Sequence, residues 1–194
     1  AGEKIDLGPE SVEHCIREVG FGFMFAPTFH PAMRYAGPLR REIGVRTVFN
    51  ILGPLTNPAG ARSQVLGVAD GSLGEKMALV LQHLGCQHAL VVHGEDGLDE
   101  VSIAAPTQIW ELKDGSIQSY TMAPEDLGLS RASADAIRGG SVEDNVVAMH
   151  NVLSGELGPA RDIVLLNASA TLAAGEAVQD LRQGLIQASE AIDS

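Results

Sequence analysis

Cysteine is scarce in this chain: its 194 residues hold only Cys15 and Cys86, with no CxxC pair and no even set at short spacing. That excludes a small secreted fold stapled by disulfides and fits a reducing cytoplasm. Basic residues are also few, 13 Lys and Arg against 25 Asp and Glu, for a formal net charge of −12 and no basic stripe. Such a surface repels a phosphate polymer, so nucleic acid is not expected as a partner. A pocket for a small anion is still compatible with it, because local Arg residues and a bound cation can reverse the sign of one cleft. Long apolar runs are missing too. The longest, from Ile163 to Ala174, is interrupted by Asn167, Ser169 and Thr171 and is too short to span a bilayer, so no membrane segment is expected. No basic start leads into an apolar run and a small-residue cleavage site, so no signal peptide is expected either. What the chain does have is 45% hydrophobic and 20% charged residues, enough for a real core. A single α/β domain over residues 1–194 is the simplest expectation.

Hydrophobic spacing divides the chain into elements. Pro9 to Val19 puts Val12, Ile16 and Val19 on one face, with Pro9 suited to the first helical position and Gly20 to the stop. Phe21, Phe23 and Phe25 alternate with Gly22 and Met24, which predicts a strand ended by Pro27. His30 to Ile43 reads as a helix bent at Gly37 and Pro38. Val65 to Ala69 reads as a buried strand and Ser72 as the N-cap of a helix striped with Leu73, Met77, Val80, Leu81 and Leu84. Ala89 to Val92 is a second apolar strand, so strand, helix and strand follow one another with short links, the pattern of parallel pairing. Thr107 to Leu112 and Ile117 to Met122 flank Lys113-Asp114-Gly115 as a hairpin. Ser141 and Asp144 are spaced as a capping box for a helix with Val142, Val146, Met149 and Leu153 on one side. Ala160 to Ala174 is apolar all round, as a central helix is, and Glu176 to Ile192 is amphipathic. The expected architecture is a mostly parallel central sheet with helices on both faces and a small antiparallel hairpin.

Three segments carry chemistry. Gly94-Glu95-Asp96-Gly97-Leu98-Asp99-Glu100 follows the strand ending at Val92, and in open α/β sheets ligands bind beyond the carboxyl ends of the strands. Asp99 and Glu100 offer hard oxygen ligands suited to Mg²⁺, an ion that shares its shell with waters and substrate phosphates. A solvated acidic turn is the competing reading. In the second segment, Phe29-His30-Pro31-Ala32-Met33 precedes Leu39-Arg40-Arg41-Glu42. Arg40 could grip a carboxylate with two hydrogen bonds, which Lys could not reproduce. Arg40 and Arg41 would project about 100° apart on a helix, so only one of them suits one pocket. His30 before a proline is equally compatible with a capping or packing role. In the third, Gly53-Pro54 and Asn57-Pro58 within Arg46 to Ala59 predict an irregular backbone, and a glycine there lets a flat ligand lie against the main chain.

Taken together, RTVFNILGPLTNPA, preceded by FMFAPTFHPAM and LRREIG and followed by VVHGEDGLDEVS, closely resemble the anthranilate phosphoribosyltransferases in order and spacing. The likeness runs from about Phe21 to Ser102 and more loosely through RDIVLLNASATL to the end. It implies a nucleoside phosphorylase and phosphoribosyltransferase-like catalytic fold and Mg²⁺-dependent transfer of the phosphoribosyl group of phosphoribosyl pyrophosphate to the amino group of anthranilate, in tryptophan biosynthesis. By that resemblance Arg40 would hold the anthranilate carboxylate, His30 and Met33 would line the aromatic site, Gly53 and Pro54 would form its floor, and Asp99 and Glu100 would bind the metal. A homodimeric, cytoplasmic parent enzyme is implied as well. No side chain is expected as acid, base or nucleophile, since an aromatic amine is already a neutral nucleophile and the reaction needs orientation and stabilisation of the departing pyrophosphate.

The family's Gly-Thr-Gly-Gly-Asp loop and its Asn-x-Ser-Thr and Lys-His-Gly-Asn segments lie upstream of the matched part, and none of them occurs in this sequence. Lacking that backbone cradle for diphosphate, the polypeptide by itself is expected to have little or no transferase activity, and its parent to carry an additional N-terminal helical domain. Two other readings share the fold: a non-enzymatic or nucleic-acid-binding relative, and a pyrimidine nucleoside phosphorylase. The acidic charge opposes nucleic-acid binding, and the joint presence of the HPAM and NILGPLTNPA segments opposes the phosphorylase.

Overall fold

A computed structural model describes residues 4–30, 53 and 55–194. The chain forms two compact units, Ala1–Gly60 and Ala61–Ser194. In the first unit, helix α1 spans Pro9–Val19 as the sequence predicts. Gly20 ends it in the left-handed region at φ 75°, its N–H donating to the carbonyl of Ile16 at 3.0 Å. Val12 is buried while Ile16 and Val19 are exposed. The predicted strand over Phe21 to Phe25 does not form. These residues have no regular secondary structure, and Ala26–Phe29 is a short helix, α2. The alternation did place the Phe23 and Phe25 rings together, stacked with centroids 6.4 Å apart. A strand, however, also needs a partner to take its backbone hydrogen bonds, and no ladder pairs this stretch among the described residues. The predicted helix from His30 to Ile43 lies outside the described residues except for His30.

The second unit is built on a sheet of order β1-β2-β3-β4. Strand β1, Ser63–Gly67, runs parallel to β2, His88–Gly94, with Val65 opposite Leu90 and Gly67 opposite Val92. Strands β3, Thr107–Lys113, and β4, Ser116–Met122, add antiparallel to β2 and to each other. The α/β class holds. Only the first of these pairings is parallel, so the hairpin makes up half of the described sheet rather than a small appendage to it. Its turn is tighter than the sequence suggested. Lys113 pairs with Ser116, leaving Asp114 and Gly115 as a two-residue loop with φ 49° and 75°, the geometry that follows strand twist.

Helices cover both sheet faces. Helix α3, Gly74–His83, buries Met77, Ala78 and Leu81 and lies against β2 and β3, with Gly74 pressed on the Trp110 ring. Its entry differs from expectation. Asp70 rather than Ser72 is the cap, accepting from the Ser72 N–H at 3.0 Å and its hydroxyl at 2.7 Å, and a 3₁₀ turn over Gly71–Leu73 precedes the helix. The other face packs on α5, Pro159–Ala174, whose Leu166, Ala170 and Ala174 join Leu90, Val92, Val101, Ile103 and Ile109 in one apolar cluster. A fully buried side chain of this size contributes roughly 1.5–3 kcal/mol, so this cluster fixes the frame.

Helix α4, Val142–Leu153, starts with the predicted capping box: the Ser141 hydroxyl accepts from the Asp144 N–H at 3.1 Å and the Asp144 carboxylate accepts from the Ser141 N–H at 3.0 Å. Its expected apolar side is largely bare, with Val152 buried but Val142, Met149 and Leu153 exposed. Helix α6 spans Leu181–Asp193, not Glu176 onward, because Asp180 caps it by accepting from the Gln183 N–H at 2.8 Å. No described helix is long and apolar enough to cross a membrane, and both cysteines are free.

Candidate functional site

The parallel pair β1 and β2 ends at Gly67 and Gly94, and the segment after β2 turns back over that edge. Gly94 opens the loop. Its N–H donates to the carbonyl of Leu98 at 2.8 Å, and Gly97 donates back to Gly94 at 2.8 Å with φ 91°, a conformation that favours glycine. Asp96 is tied into this turn: one oxygen accepts from the Ser102 hydroxyl at 2.8 Å and the other lies 3.4 Å from the Leu98 N–H. Ser102 in turn accepts from the N–H groups of Ala104 and Ala105, and its own N–H donates to the Thr107 hydroxyl at 2.9 Å.

Asp99 and Glu100 stand exposed on the crest of this loop. The main chain of Asp99 lies directly on Gly67, so the loop rests on β1. A Cβ added at Gly67 would overlap the Asp99 carbonyl oxygen and come within 2.6 Å of its carbon. Beside the loop, the His93 ring donates through Nδ1 to the Val68 carbonyl at 2.8 Å. Among the described residues, no group of three His, Cys, Asp or Glu side chains forms a closed metal cage. Two adjacent, exposed carboxylates are hard oxygen donors of the kind Mg²⁺ takes when substrate phosphates and water complete its shell. The acidic part of the loop therefore divides. Asp96 is spent on structure, whereas Asp99 and Glu100 face solvent.

In the first unit, His30 is half-buried and ends α2, its N–H donating to the Ala26 carbonyl at 2.8 Å. Gly53 has helical rather than irregular backbone. Its carbonyl accepts from the Thr56 N–H at 3.1 Å and the Thr56 hydroxyl at 3.2 Å. The irregular turn comes later, where the Asn57 side chain accepts from the Ala59 N–H at 2.9 Å. Met33, Arg40 and Pro54 lie outside the described residues.

A cavity of about 350 Å³ opens at the other end of β2 and is bordered by His88, Glu111, Tyr120 and Arg182. His88 is 2% exposed and meets Glu111 through Nε2 at 2.9 Å. The Tyr120 hydroxyl donates to the other Glu111 oxygen at 3.0 Å. Burial first, and the Glu111 charge second, push the tyrosine well above its ordinary range, so it stays a donor. Both Glu111 oxygens are thereby engaged within the protein.

The model of the glycosyl transferase family, a/b domain, matches residues 1–194. The chain belongs to this family. Within the glycosyl transferase family it is 54% identical over 193 residues to an anthranilate phosphoribosyltransferase of Symbiobacterium thermophilum, and 56% identical over 195 residues to that of Chloroflexus aggregans. Each comparison covers all of this chain and 57% of the relative, so the chain spans little more than half the length of these proteins. The crystal structure of anthranilate phosphoribosyltransferase from Thermus thermophilus matches with a TM-score of 0.92 at 44% identity, over 100% of this chain and 57% of that one. The Saccharomyces cerevisiae enzyme in complex with phosphoribosyl pyrophosphate and Mg matches at 0.87 and 27% identity, over 98% of this chain and 54% of that one. The fold of this glycosyl transferase family member is thus the one those enzymes use.

The loop's internal supports escaped the sequence reading. Gly67 inside a strand is a signal of close backbone approach, and Asn167 in an otherwise apolar helix is a signal of a specific polar contact. Both were visible as residue types. Neither one's partner was, because Asp99 and Val101 are distant in the chain.

Proposed function

We propose that this chain is the α/β part of a homodimeric, cytoplasmic anthranilate phosphoribosyltransferase, and that its parent transfers phosphoribosyl from phosphoribosyl pyrophosphate to the amino group of anthranilate with release of pyrophosphate. The observation that carries the reading is the match along the whole chain to relatives of that name, with exposed Asp99 and Glu100 beyond the carboxyl end of a parallel strand pair. Asp99 and Glu100 hold Mg²⁺, which neutralises charge on the departing pyrophosphate. Arg40 grips the anthranilate carboxylate in a bidentate pair, His30 and Met33 wall the aromatic ring, and Gly53 and Pro54 lie beneath it. The chain's own contribution would be to orient the anthranilate amine for attack, while any cation held by Asp99 and Glu100 would supply charge neutralisation for the leaving group. The upstream diphosphate loop belongs to the remainder of the parent, so this polypeptide alone has little or no turnover.

The test is an assay of the full-length parent and of residues 1–194 for pyrophosphate release with anthranilate. Turnover by the parent but not by residues 1–194 is the expected result. Asp99→Asn and Glu100→Gln are expected to raise the half-saturating Mg²⁺ concentration about tenfold or more each. Arg40→Lys is expected to raise the KM for anthranilate by about one order of magnitude, because a lysine cannot make the paired hydrogen bonds. A parent that cleaves thymidine with phosphate, or binds duplex DNA in a salt-dependent way, and ignores anthranilate would sink the proposal.

A further inference from the structure

Val101 follows Glu100 directly and is 1% exposed, so its two main-chain polar groups must find partners inside the protein. One side chain supplies both. The Asn167 carbonyl oxygen accepts from the Val101 N–H at 2.9 Å, and the Asn167 amide nitrogen donates to the Val101 carbonyl at 3.0 Å. The same amide also donates to the Ile163 carbonyl one turn earlier on α5, at 3.0 Å, which fixes its rotamer. Residue 167 therefore treats Val101 as a neighbouring strand would, across 66 residues of sequence. Asparagine suits this task because it presents a donor and an acceptor in one plane at short reach. Aspartate has no donor, leucine has neither group, and glutamine is longer by one methylene.

We propose that Asn167 is a positioning residue for the Asp99–Glu100 pair, acting through the backbone of Val101. The crest is held at two points. The Asp99 main chain abuts Gly67 on one side, and Val101 is clamped to α5 on the other. Between them Asp99 and Glu100 keep exposed side chains on a fixed backbone, the arrangement needed to present two hard oxygens to a cation without forming a cage. Helix α5 also supplies Leu166, Ala170 and Ala174 to the core, so its amide directed at the loop ties ligand geometry to the rigid frame.

The inference rests on the reading of Asp99 and Glu100 as metal ligands, and the experiment separates the two. Binding of Mn²⁺ alone to the full-length protein is followed by electron paramagnetic resonance of the free ion, for wild type, Asn167→Ala, Asn167→Ser and Asp99→Asn. Both Asn167 variants are expected to weaken Mn²⁺ binding about tenfold, with Asp99→Asn weakening it further. The KM for anthranilate should stay within about twofold, since an orientation defect confined to the metal loop leaves the aromatic site alone. Mn²⁺ affinity unchanged in the Asn167 variants but reduced in Asp99→Asn overturns the positioning role by itself. Affinity unchanged in all variants overturns the metal reading and this one with it. Should alanine and serine not fold, hydrogen exchange at Val101 in wild type gives a readout that needs no variant. Slower exchange with Mn²⁺ present is expected, and exchange indifferent to Mn²⁺ counts against the proposal.

Discussion

Gly67→Ala is expected to destabilise the chain by about 3 kcal/mol or more, and in the full-length protein to weaken Mn²⁺ binding as well. The obstacle is main chain against main chain. A Cβ at this position overlaps the carbonyl oxygen of Asp99 and lies 2.6 Å from the carbonyl carbon and 3.2 Å from the Asp99 Cβ, so no side-chain rotation can relieve it. Either β1 moves, at the expense of its parallel pairing with β2, or the loop lifts and takes Asp99 and Glu100 with it. Gly74→Ala is the informative comparison. There the added Cβ comes within 2.5 Å of Trp110 Cδ2, a side-chain atom that can shift, and the expected cost is the smaller 1–3 kcal/mol or so of ordinary overpacking. Urea unfolding of the two variants beside wild type measures the difference. A Gly67→Ala protein as stable as wild type would show that the loop does not rest on β1.

The same contact explains how far the sequence could be read. Features encoded by neighbouring residues were legible. Asp114-Gly115 specifies its turn by left-handed φ at both positions, Ser141 and Asp144 close their capping box within one helical turn, and Leu166, Ala170 and Ala174 of the apolar stretch Ala160 to Ala174 sit in the core, although Val164 on its other side is exposed. The parallel strand, helix, strand unit followed from the short links around α3. What failed depended on something beyond the local pattern. Phe21 to Phe25 alternate correctly but pair with nothing described, and the valines and leucine of α4 have the right spacing but stay largely bare. Asp70 displaced Ser72 as a cap because a 3₁₀ turn intervened, a shift of two residues that spacing does not resolve. For the candidate site, Asp99 and Glu100 stand out in the sequence because they are adjacent and follow a strand, and the structure leaves both exposed on the loop after β2. Asn167, Ser102 and Gly67 do not stand out, because each acts on a residue that only the fold brings near.

Asp193→Ala is expected to lower the thermal midpoint more than Arg161→Met does, although both remove the same ion pair. Arg161 is 4% exposed, and its guanidinium donates to Asp193 at 2.8 Å, to the Ser189 hydroxyl at 2.9 Å and to the Gly155 carbonyl at 3.1 Å, joining α5 to α6 and to the turn before α5. Its Nε has no partner among the described residues. Asp193 is half exposed, with 51% of its side chain open to solvent. When the arginine is replaced, Asp193, Ser189 and Gly155 can turn to water, and methionine refills the aliphatic volume, so Arg161→Met should cost only about 1–2 kcal/mol. Arg161→Ala adds a cavity and should cost about 3 kcal/mol. When the aspartate is replaced, a buried cation is left without its counter-charge and cannot rehydrate, which is the more damaging loss. The pH dependence has a definite sign. The hydrogen bond from Arg161 holds the Asp193 carboxyl below its ordinary value. A carboxylate lowered on folding stabilises the native state above its unfolded value, and that stabilisation disappears as pH falls through the lowered one. Wild type should therefore lose its advantage over Asp193→Ala only in the acid range below the ordinary carboxylate value, and keep it undiminished at neutral pH. Thermal scans of both proteins from neutral to acid pH test this, and a constant difference across the whole range would rule out the ion pair as its source.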